Sequence, residues 1–201
     1  MANRNFLVGI TGGMGAGKST VSDLIRQAGY PVLSADAIAR AITSPGAPAF
    51  DAVVALFGKQ VVTLAGDLDR TRIREEISRS PELRRKLEAI THPLIQRESA
   101  RLAAEEFSRG AQAVFYEAPL LFEANSEGKM DAVICVVAGD DLRASRIAQR
   151  DGVSLDAARR LMNAQMPQQE KAARSRWVVE NNGTEAALAA RVREVLEEVA
   201  G

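Results

Sequence analysis

The chain has little cysteine, little histidine and few aromatic residues, and its charges balance. Its one cysteine, Cys135, cannot form a disulfide within the chain, and the apolar run around it predicts a buried thiol in a strand. Its one histidine, His92, excludes a metal site built from several histidine ligands. The composition therefore points away from a disulfide scaffold and from histidine-rich metal chemistry.

Charge and hydropathy exclude two further classes of protein. Because 26 basic residues face 26 acidic residues, the chain lacks the basic excess of a dedicated nucleic-acid binder. No apolar run approaches the roughly 18 residues of a membrane span, and the N-terminus lacks the pattern of a signal peptide. We expect a cytoplasmic monomer with small-molecule substrates and with no nucleic-acid or membrane partner.

What the chain does contain is a glycine-rich segment, residues 12–19, that fits the pattern G-x-x-x-x-G-K-[ST]. The apolar residues 6–10 before it suit a buried strand, and residues 20–28 after it have apolar positions at helical spacing. This strand–loop–helix context is the one in which the pattern binds phosphate. The sequence therefore predicts a site for a nucleoside triphosphate.

The residue types of this loop explain how it would hold a triphosphate. Glycines let successive backbone N–H groups turn toward phosphate oxygens, and the helix that follows adds the positive end of its dipole. Lys18 would reach the β- and γ-phosphates of ATP, and the Ser19 hydroxyl would ligate Mg²⁺. The predicted nucleotide ligands in the loop are Gly13, Gly15, Ala16, Gly17, Lys18, Ser19 and Thr20.

Five short apolar runs predict a parallel sheet with helices on both faces. Helical patterns separate the runs, so the predicted class is α/β, with a five-stranded sheet of the P-loop NTPase type. We expect residues 1–201 to form a single kinase domain. The predicted strands are residues 6–11, 31–34, 113–117, 132–137 and 177–180.

Two helical insertions are predicted within this domain. Residues 48–110 exceed a simple crossover and would hold the second substrate at the carboxyl edge of the sheet. Their predicted helical stretches are 49–57, 70–78 and 81–107, with interruptions at 67–70 and 91–93. Residues 140–175 would be a lid whose Arg146 and Arg150 close over the phosphates, although a solvated helix face explains these arginines equally well.

Phosphoryl transfer to a hydroxyl needs a group that takes the proton, and Asp36 is the best candidate. It follows the run 31–34, which we expect beside the first strand, so Asp36 would emerge near the γ-phosphate. An aspartate here also suits the cap of a helix from Ile38 onward. We favour the catalytic or metal-organising role.

Glu117 and His92 each allow two interpretations. Glu117 ends the third predicted strand, where a carboxylate either supports Mg²⁺, directly or through water, or simply meets solvent. His92 stands before Pro93 in the first insertion. Such a histidine is more often a structural hydrogen-bonding group, but there it could contact an anionic acceptor.

A set of short strings, taken in order along nearly the whole chain, resembles the dephospho-CoA kinase family. Each string is weak alone, whereas their joint order and spacing are specific. The strings are residues 11–20 (TGGMGAGKST), 35–40 (ADAIAR), 57–58 (FG), 68–70 (LDR), 91–95 (THPLI), 119–123 (PLLFE), 150–151 (RD), 165–167 (QMP) and 181–183 (NNG).

The resemblance implies transfer of the γ-phosphate of ATP to the ribose 3′-hydroxyl of dephospho-CoA, the last step of coenzyme A biosynthesis. It implies that Asp36 is the base, that residues 146–165 form the lid and that Asn181 lies near the adenine. We take Asp36, Lys18 and Arg146 as the catalytic residues, and Arg146, Arg150 and Asn181 as further nucleotide ligands. The predicted acceptor ligands are Asp36, His92, Pro93, Ile95, Glu117 and Leu120.

The chain departs from the family pattern at two places. The family commonly has Asp-Ala-Asp where this chain has Ser34-Ala35-Asp36, which puts any metal-organising role of the first carboxylate in doubt. It often has Ala-Asp where Ser175-Arg176 stands, which could alter pairing near the lid hinge.

Two other functions fit the loop but not the rest of the chain. A nucleoside monophosphate kinase would share the loop and lid but not the strings at 91–95 and 119–123. A GTPase switch would need [NT]-K-x-D and D-x-x-G elements, and neither string occurs in the sequence.

Overall fold

A computed structural model of the protein describes residues 5–200, in which five strands form one parallel sheet. The strands are β1 Phe6–Gly12, β2 Val32–Ser34, β3 Ala113–Glu117, β4 Ala132–Val137 and β5 Trp177–Glu180. The predicted bounds of β3, β4 and β5 match the observed ones, and the predicted α/β class is confirmed. Near-continuous apolar runs made these strands recognisable, because both faces of the sheet are covered.

The strand order is β2-β3-β1-β4-β5, so β3 lies between β1 and β2. The expectation that the second run lies beside the first strand was therefore wrong. β3 is buried along four of its five residues and suits a central position, whereas β2 is a half-buried strand of three residues and suits an edge. The Phe115 N–H donates to the Pro31 carbonyl over 2.9 Å on that side of β3.

Helices connect the strands. They are α1 Lys18–Gln27, α2 Ala35–Ile42, α3 Phe50–Phe57, α4 Arg70–Arg79, α5 Pro81–Ser108, α6 Asp140–Asp151, α7 Leu155–Asn163, α8 Gln168–Ala173 and α9 Glu185–Ala200. Within residues 5–200, no helix combines the length and the apolar character that crossing a membrane requires.

Helix α5 continues through Pro93 over 28 residues, so the interruption expected at 91–93 was wrong. Proline removes one N–H donor from the helix, but the turns on either side keep theirs. Leu87 and Ile90 pack into a hydrophobic cluster just before the proline, and the Thr91 hydroxyl donates to the Leu87 carbonyl over 2.9 Å. Packing of the neighbouring turns therefore outweighs the local cost of the proline.

The chain forms two compact units. The sheet unit comprises the described residues up to Leu33 and from Glu105 onward, and the helical unit is Ser34–Ala104. Each has its own apolar core. The sheet unit buries Val8, Ile10, Val21, Ile25, Phe115, Ile134, Val136, Trp177, Val179, Leu188 and Val192, and the helical unit buries Val53, Phe57, Val61, Leu68 and Ile73. The division into one kinase domain with an insertion at 48–110 and a lid at 140–175 stays a prediction.

Candidate active site

The glycine-rich loop connects the end of β1 to the start of α1. Gly17 has a left-handed backbone with φ near 93° and is the N-cap of α1. Gly15 has φ near 76°, and a Cβ there would lie 2.7 Å from the Arg143 carbonyl oxygen. Both positions therefore require glycine, because an L side chain would be strained and obstructed. The loop closes on itself through the Ala16 N–H, which donates to the Gly13 carbonyl over 3.2 Å.

Lys18 begins α1 and folds back onto this loop. Its ammonium donates to the Gly12 carbonyl over 3.1 Å and to the Gly13 carbonyl over 3.0 Å. Burial and, after it, the nearby charge of Lys171 lower the Lys18 pKa from 10.5 to about 8, while the charge of Glu117 opposes the shift. A protonated lysine in this place is held at an energetic cost that an anionic ligand would relieve.

Three side chains from outside the loop bond its carbonyl oxygens. The Arg143 Nε donates to the Met14 carbonyl over 2.9 Å, and Arg146 donates to the Gly15 carbonyl over 3.3 Å. The Asn181 amide donates to the Ala16 carbonyl over 2.9 Å. Arg143 and Asn181 are buried, and Arg143 also pairs with Asp140. The loop is therefore shaped by α6 and by the end of β5 as well as by its own glycines.

The segment predicted as a lid contacts the loop in this structure. The Gln165 side-chain oxygen accepts a hydrogen bond from the Met14 N–H over 3.2 Å. Met14 also packs against the cluster formed by α6 and α7, which includes Ala144, Ile147 and Met162. Residues 140–165 thus meet the phosphate loop through one apolar cluster and through several polar contacts.

The arginines of α6 have different surroundings. Arg146 lies at the loop and also donates to the Asn181 carbonyl over 3.2 Å. The Arg150 side chain is 61% exposed and pairs with its neighbour Asp151 over 2.7 Å, a contact that raises the Arg150 pKa. The roles predicted for Arg146, Arg150 and Asn181 in nucleotide binding stay predictions.

Two buried cations near the loop were absent from the predicted site, namely Arg143 and Lys171. Arg143 lies one helical turn before Arg146, so it shares the face of α6 that meets the loop, and this spacing could have indicated it. Lys171 shares a face of α8 with the buried Gln168, three residues earlier. Nothing in the local pattern of α8 distinguishes that lysine from an exposed one.

Ser19 is the predicted metal ligand, Thr20 follows it in α1, and Glu117 is the carboxylate expected either to support the ion or to meet solvent. Glu117 is half-buried at the end of β3, and its carboxylate accepts a hydrogen bond from the buried Ser22 hydroxyl of α1 over 2.9 Å. Ser19 and Thr20 are exposed in the first turn of α1. Among residues 5–200, no group of three or more histidine, cysteine, aspartate and glutamate side chains could hold a metal ion.

Asp36 is exposed in the first turn of α2. The N-cap of this helix is Ser34, whose hydroxyl oxygen accepts a hydrogen bond from the Ala37 N–H over 3.3 Å. The alternative interpretation of Asp36 as the cap was therefore wrong, and its carboxylate is not used to start the helix. Ser34, where the family commonly has aspartate, performs the capping.

A pocket of about 320 Å³ lies within the helical unit and includes Asp36 in its lining. Asp36 is the only acidic residue in the lining, which also carries three arginines, Arg40, Arg70 and Arg74. The apolar lining residues are Ala39, Val53, Leu68, Ile73, Ile77 and Leu87. One arginine is positioned by its own unit, because Arg70 donates to the Thr43 hydroxyl over 3.0 Å. The pocket thus suits an anion that also carries an apolar part.

The other predicted acceptor ligands lie on α5 and after β3. Thr91 lines the pocket, while its neighbours His92 and Ile95 are half-buried and Pro93 is exposed. Leu120, in the sheet unit, is 49% exposed. At Ser175-Arg176, where the family often has Ala-Asp, the Ser175 hydroxyl donates to the Lys171 carbonyl over 2.8 Å.

The family model for dephospho-CoA kinase matches residues 6–187. The chain belongs to the dephospho-CoA kinase family. It is 42% identical over 199 residues to the dephospho-CoA kinase of Anaeromyxobacter dehalogenans, which covers 97% of this chain and 92% of that protein. The predicted family and enzyme class are confirmed.

Solved structures agree with this membership of the dephospho-CoA kinase family. A crystal structure from Thermus thermophilus is 38% identical, has a TM-score of 0.82, and the alignment covers 98% of this chain and 100% of that one. The dephospho-CoA kinase of Campylobacter jejuni is 25% identical with a TM-score of 0.73, and the alignment covers 97% of each chain. Dephospho-CoA kinases use ATP to phosphorylate dephospho-CoA, which gives coenzyme A in the last step of its biosynthesis.

Proposed function

We propose that the chain transfers the γ-phosphoryl group of ATP to the ribose 3′-hydroxyl of dephospho-CoA, with the glycine-rich loop as the donor site and Asp36 as the base. The observation that carries this assignment of roles is that one chain contains both a glycine loop that holds a partly buried lysine and a pocket in which one carboxylate stands among three arginines. The first feature suits a polyphosphate. The second suits an anionic alcohol that must lose a proton.

At the donor site, Lys18 neutralises charge on the β- and γ-phosphates. Its ammonium now donates to the Gly12 and Gly13 carbonyls, and a bound triphosphate would offer it stronger, charged acceptors. The N–H groups of Gly13, Gly15, Ala16 and Gly17 would surround the phosphates, at the positive end of α1. Lys18 thereby stabilises the charge that spreads over the transferring group.

Arg146 and Asn181 have a double role in this proposal. Both already bond the loop carbonyls, so they hold the loop in shape before the nucleotide arrives. Arg146 is exposed enough to turn toward the phosphates and stabilise the transferring group, while Arg150 lies one turn further along α6 and would meet the nucleotide only after a rearrangement. Asn181 would lie near the adenine.

Mg²⁺ would be held by few protein oxygens, as is usual for this ion with nucleotides. The exposed Ser19 hydroxyl is the proposed ligand, and Glu117 would support the ion directly or through water. When bound, Mg²⁺ neutralises charge on the phosphate oxygens. The carboxylate of Glu117 is already oriented by the Ser22 hydroxyl, which fits a supporting role.

Asp36 would take the proton of the acceptor hydroxyl as the oxygen attacks the γ-phosphorus. Its carboxylate is exposed within the lining of the pocket and is not used as a helix cap, so it is available for this proton. Dephospho-CoA carries a pyrophosphate beside an extended pantetheine arm. The pocket offers Arg40, Arg70 and Arg74 to the pyrophosphate, and its apolar wall could contact the arm.

The remaining predicted acceptor ligands complete the proposal. His92, Pro93 and Ile95 follow the pocket residue Thr91 on α5. Leu120 presents an exposed apolar side chain that would pack on the acceptor. These four residues are proposed as contacts that orient dephospho-CoA and not as groups that react.

The experiment that tests the proposal is turnover by Asp36→Asn with ATP and dephospho-CoA, followed by mass detection of coenzyme A. We expect kcat to fall by about 10²- to 10⁴-fold, the usual contribution of a general base, while ATP affinity stays close to that of the unmodified chain. Asp51→Asn is the matched control, because Asp51 is likewise an exposed aspartate in the first turn of a helix. Normal kcat in Asp36→Asn would reject the base assignment, and a preference for nucleoside monophosphates over dephospho-CoA would reject the acceptor.

A further inference from the structure

Lys171, in helix α8, has no exposed surface. Its ammonium donates to the Pro119 carbonyl over 2.8 Å and pairs with the Glu123 carboxylate over 2.7 Å. Burying a cation is costly even when it is paired, and a methionine of similar length would fill the same space without a charge. Packing alone therefore gives no reason for a lysine here.

Both partners of Lys171 belong to the post-β3 segment, which we define as residues 118–126. The Pro119 carbonyl also accepts a hydrogen bond from the Thr11 hydroxyl over 3.3 Å, and Thr11 stands immediately before the glycine-rich loop. The Glu123 carboxylate also accepts from the Met166 N–H over 3.2 Å. The ammonium thus joins α8 to the post-β3 segment at the same carbonyl that the end of β1 contacts.

The post-β3 segment matters for the reaction because two proposed site residues lie next to it or within it. Glu117 stands directly before it, and Leu120 lies within it. Gln165 precedes Lys171 in the chain and contacts the phosphate loop itself, because its side-chain oxygen accepts a hydrogen bond from the Met14 N–H. Glu117 itself pairs with Ile10 of β1, so a shift of the segment would move Leu120 directly and would disturb Glu117 through its neighbour Ala118, without first disturbing the loop.

We propose that Lys171 is a positioning residue for phosphoryl transfer, whose ammonium holds the post-β3 segment so that Glu117 and Leu120 keep their places relative to the phosphate loop. This inference rests on the roles proposed above for Glu117 and Leu120. Lys171 touches neither substrate. The loop keeps its own supports, Arg143 and Asn181, when Lys171 is replaced, so the effect falls on transfer more than on ATP binding.

The first test is Lys171→Met, which removes the ammonium and keeps an unbranched side chain. Misplacement of reacting groups by about 1 Å costs on the order of 100-fold, so we expect kcat to fall by about 10- to 100-fold with the KM for ATP changed by less than about threefold. The control is Lys129→Met, which replaces an exposed lysine of the same unit and should leave both constants unchanged. Normal kcat in folded Lys171→Met overturns the inference, and so does an equal loss in kcat and in ATP binding.

A second variant keeps the test decisive if Lys171→Met fails to fold. Lys171→Met combined with Glu123→Gln removes both charges of the pair, which leaves no buried charge unpaired and is tolerated far better than removing one partner. We expect this double variant to melt near the temperature of the unmodified chain and still to show the reduced kcat. A normal kcat in the double variant overturns the inference.

Two further variants separate this inference from the function on which it rests. Glu117→Gln and Leu120→Ala should each lower kcat or raise the KM for dephospho-CoA. If both keep normal kinetics, the roles proposed for Glu117 and Leu120 fail, whatever Lys171→Met does. If both are impaired while Lys171→Met is normal, those roles stand and the positioning role of Lys171 fails.

Discussion

The surroundings of the phosphate loop in the sheet unit and the pocket in the helical unit place their polar side chains in opposite ways. In the sheet unit, Arg143, Lys171 and Asn181 are at most 8% exposed, and each bonds a backbone carbonyl of the loop or of the post-β3 segment. In the helical unit, Asp36 and the three arginines of the pocket are exposed. Buried and bonded groups have little freedom, whereas exposed arginines can follow a ligand.

This difference corresponds to what each unit would bind. A triphosphate is compact and densely charged, and a cradle that is ordered in advance holds it without a further loss of entropy in the protein. An acceptor with a long flexible arm gains more from side chains that adapt to it. Replacement of residues at the phosphate loop should therefore act mainly on the donor, and replacement of the pocket arginines should act mainly on the acceptor.

Among variants that compare the phosphate loop with the pocket arginines, the largest expected effect is that of Lys18→Met. Loss of a charged donor to the transferring phosphates should lower kcat/KM for ATP by at least about 10²- to 10³-fold. Because burial depresses the Lys18 pKa, the charge is unfavourable in the folded state, so the variant should melt no lower than the unmodified chain. Lys86→Met, at a 56% exposed lysine of the helical unit, is the control. An unchanged kcat/KM for ATP in Lys18→Met would contradict the assignment of the phosphate loop as the donor site.

Arg74→Met should have a smaller effect, confined to the acceptor. Loss of one arginine contact to a phosphate typically costs about 1.5–3 kcal/mol in a binding site, which corresponds to roughly a 10- to 100-fold rise in the KM for dephospho-CoA. The KM for ATP should stay unchanged. Arg79→Met is the matched control, because Arg79 is also exposed on α4 but lies outside the lining of the pocket. Equal effects of the two variants would show that the pocket does not hold the acceptor.

The pH dependence of kcat/KM for ATP should follow the titration of the partly buried Lys18. As pH rises through about 8, Lys18 loses its proton in the free protein, so kcat/KM for ATP should fall by about fivefold between pH 8 and pH 9. The same depressed pKa means that the unfolded chain binds more protons between pH 8 and 10.5, so the Lys18 contribution to stability rises with pH in that window. Burial raises the Cys135 pKa to about 11, so titration of that thiol does not explain a decline between pH 8 and pH 9. If kcat/KM for ATP still falls between pH 8 and pH 9 in Lys18→Met, the titrating group is not Lys18.

The smallest expected effect concerns the cap of α2. Ser34→Ala should lower the free energy of unfolding by about 1 kcal/mol, because the Ala37 N–H loses its acceptor. Ser34→Asp should keep the cap and restore the carboxylate that the family commonly has. Comparison of its Mg²⁺ dependence with that of the unmodified chain measures what the serine changes, and urea unfolding gives the stabilities. No loss of stability in Ser34→Ala would contradict the capping role.

Much of the fold could be predicted because its signals are local. The strands β3, β4 and β5 are apolar except for the glutamates that end β3 and β5, and the phosphate loop carries its glycines and its lysine within eight consecutive residues. The strand order could not be predicted, because the three residues of β2 contain no information about which strand lies beside them. Helix α5 also contradicted a local rule, since the packing of Leu87 and Ile90 before Pro93 outweighed the missing N–H.

The two buried cations near the loop were absent from the predicted site for a physical reason. Arg143 and Lys171 look like ordinary charged residues of polar helices, and such residues are mostly exposed. What buries them is a set of carbonyl oxygens from distant parts of the chain, at Met14 for Arg143 and at Pro119 for Lys171. Only the folded chain brings those acceptors together with the side chains.

The measurement that tests the contrast between the two units most directly is equilibrium binding of ATP and of dephospho-CoA, each titrated separately by calorimetry into Lys18→Met and Arg74→Met. We predict that Lys18→Met loses affinity for ATP and keeps its affinity for dephospho-CoA, and that Arg74→Met does the reverse. If either variant loses affinity for both ligands to the same extent, the assignment of the donor to the sheet unit and of the acceptor to the helical unit is contradicted.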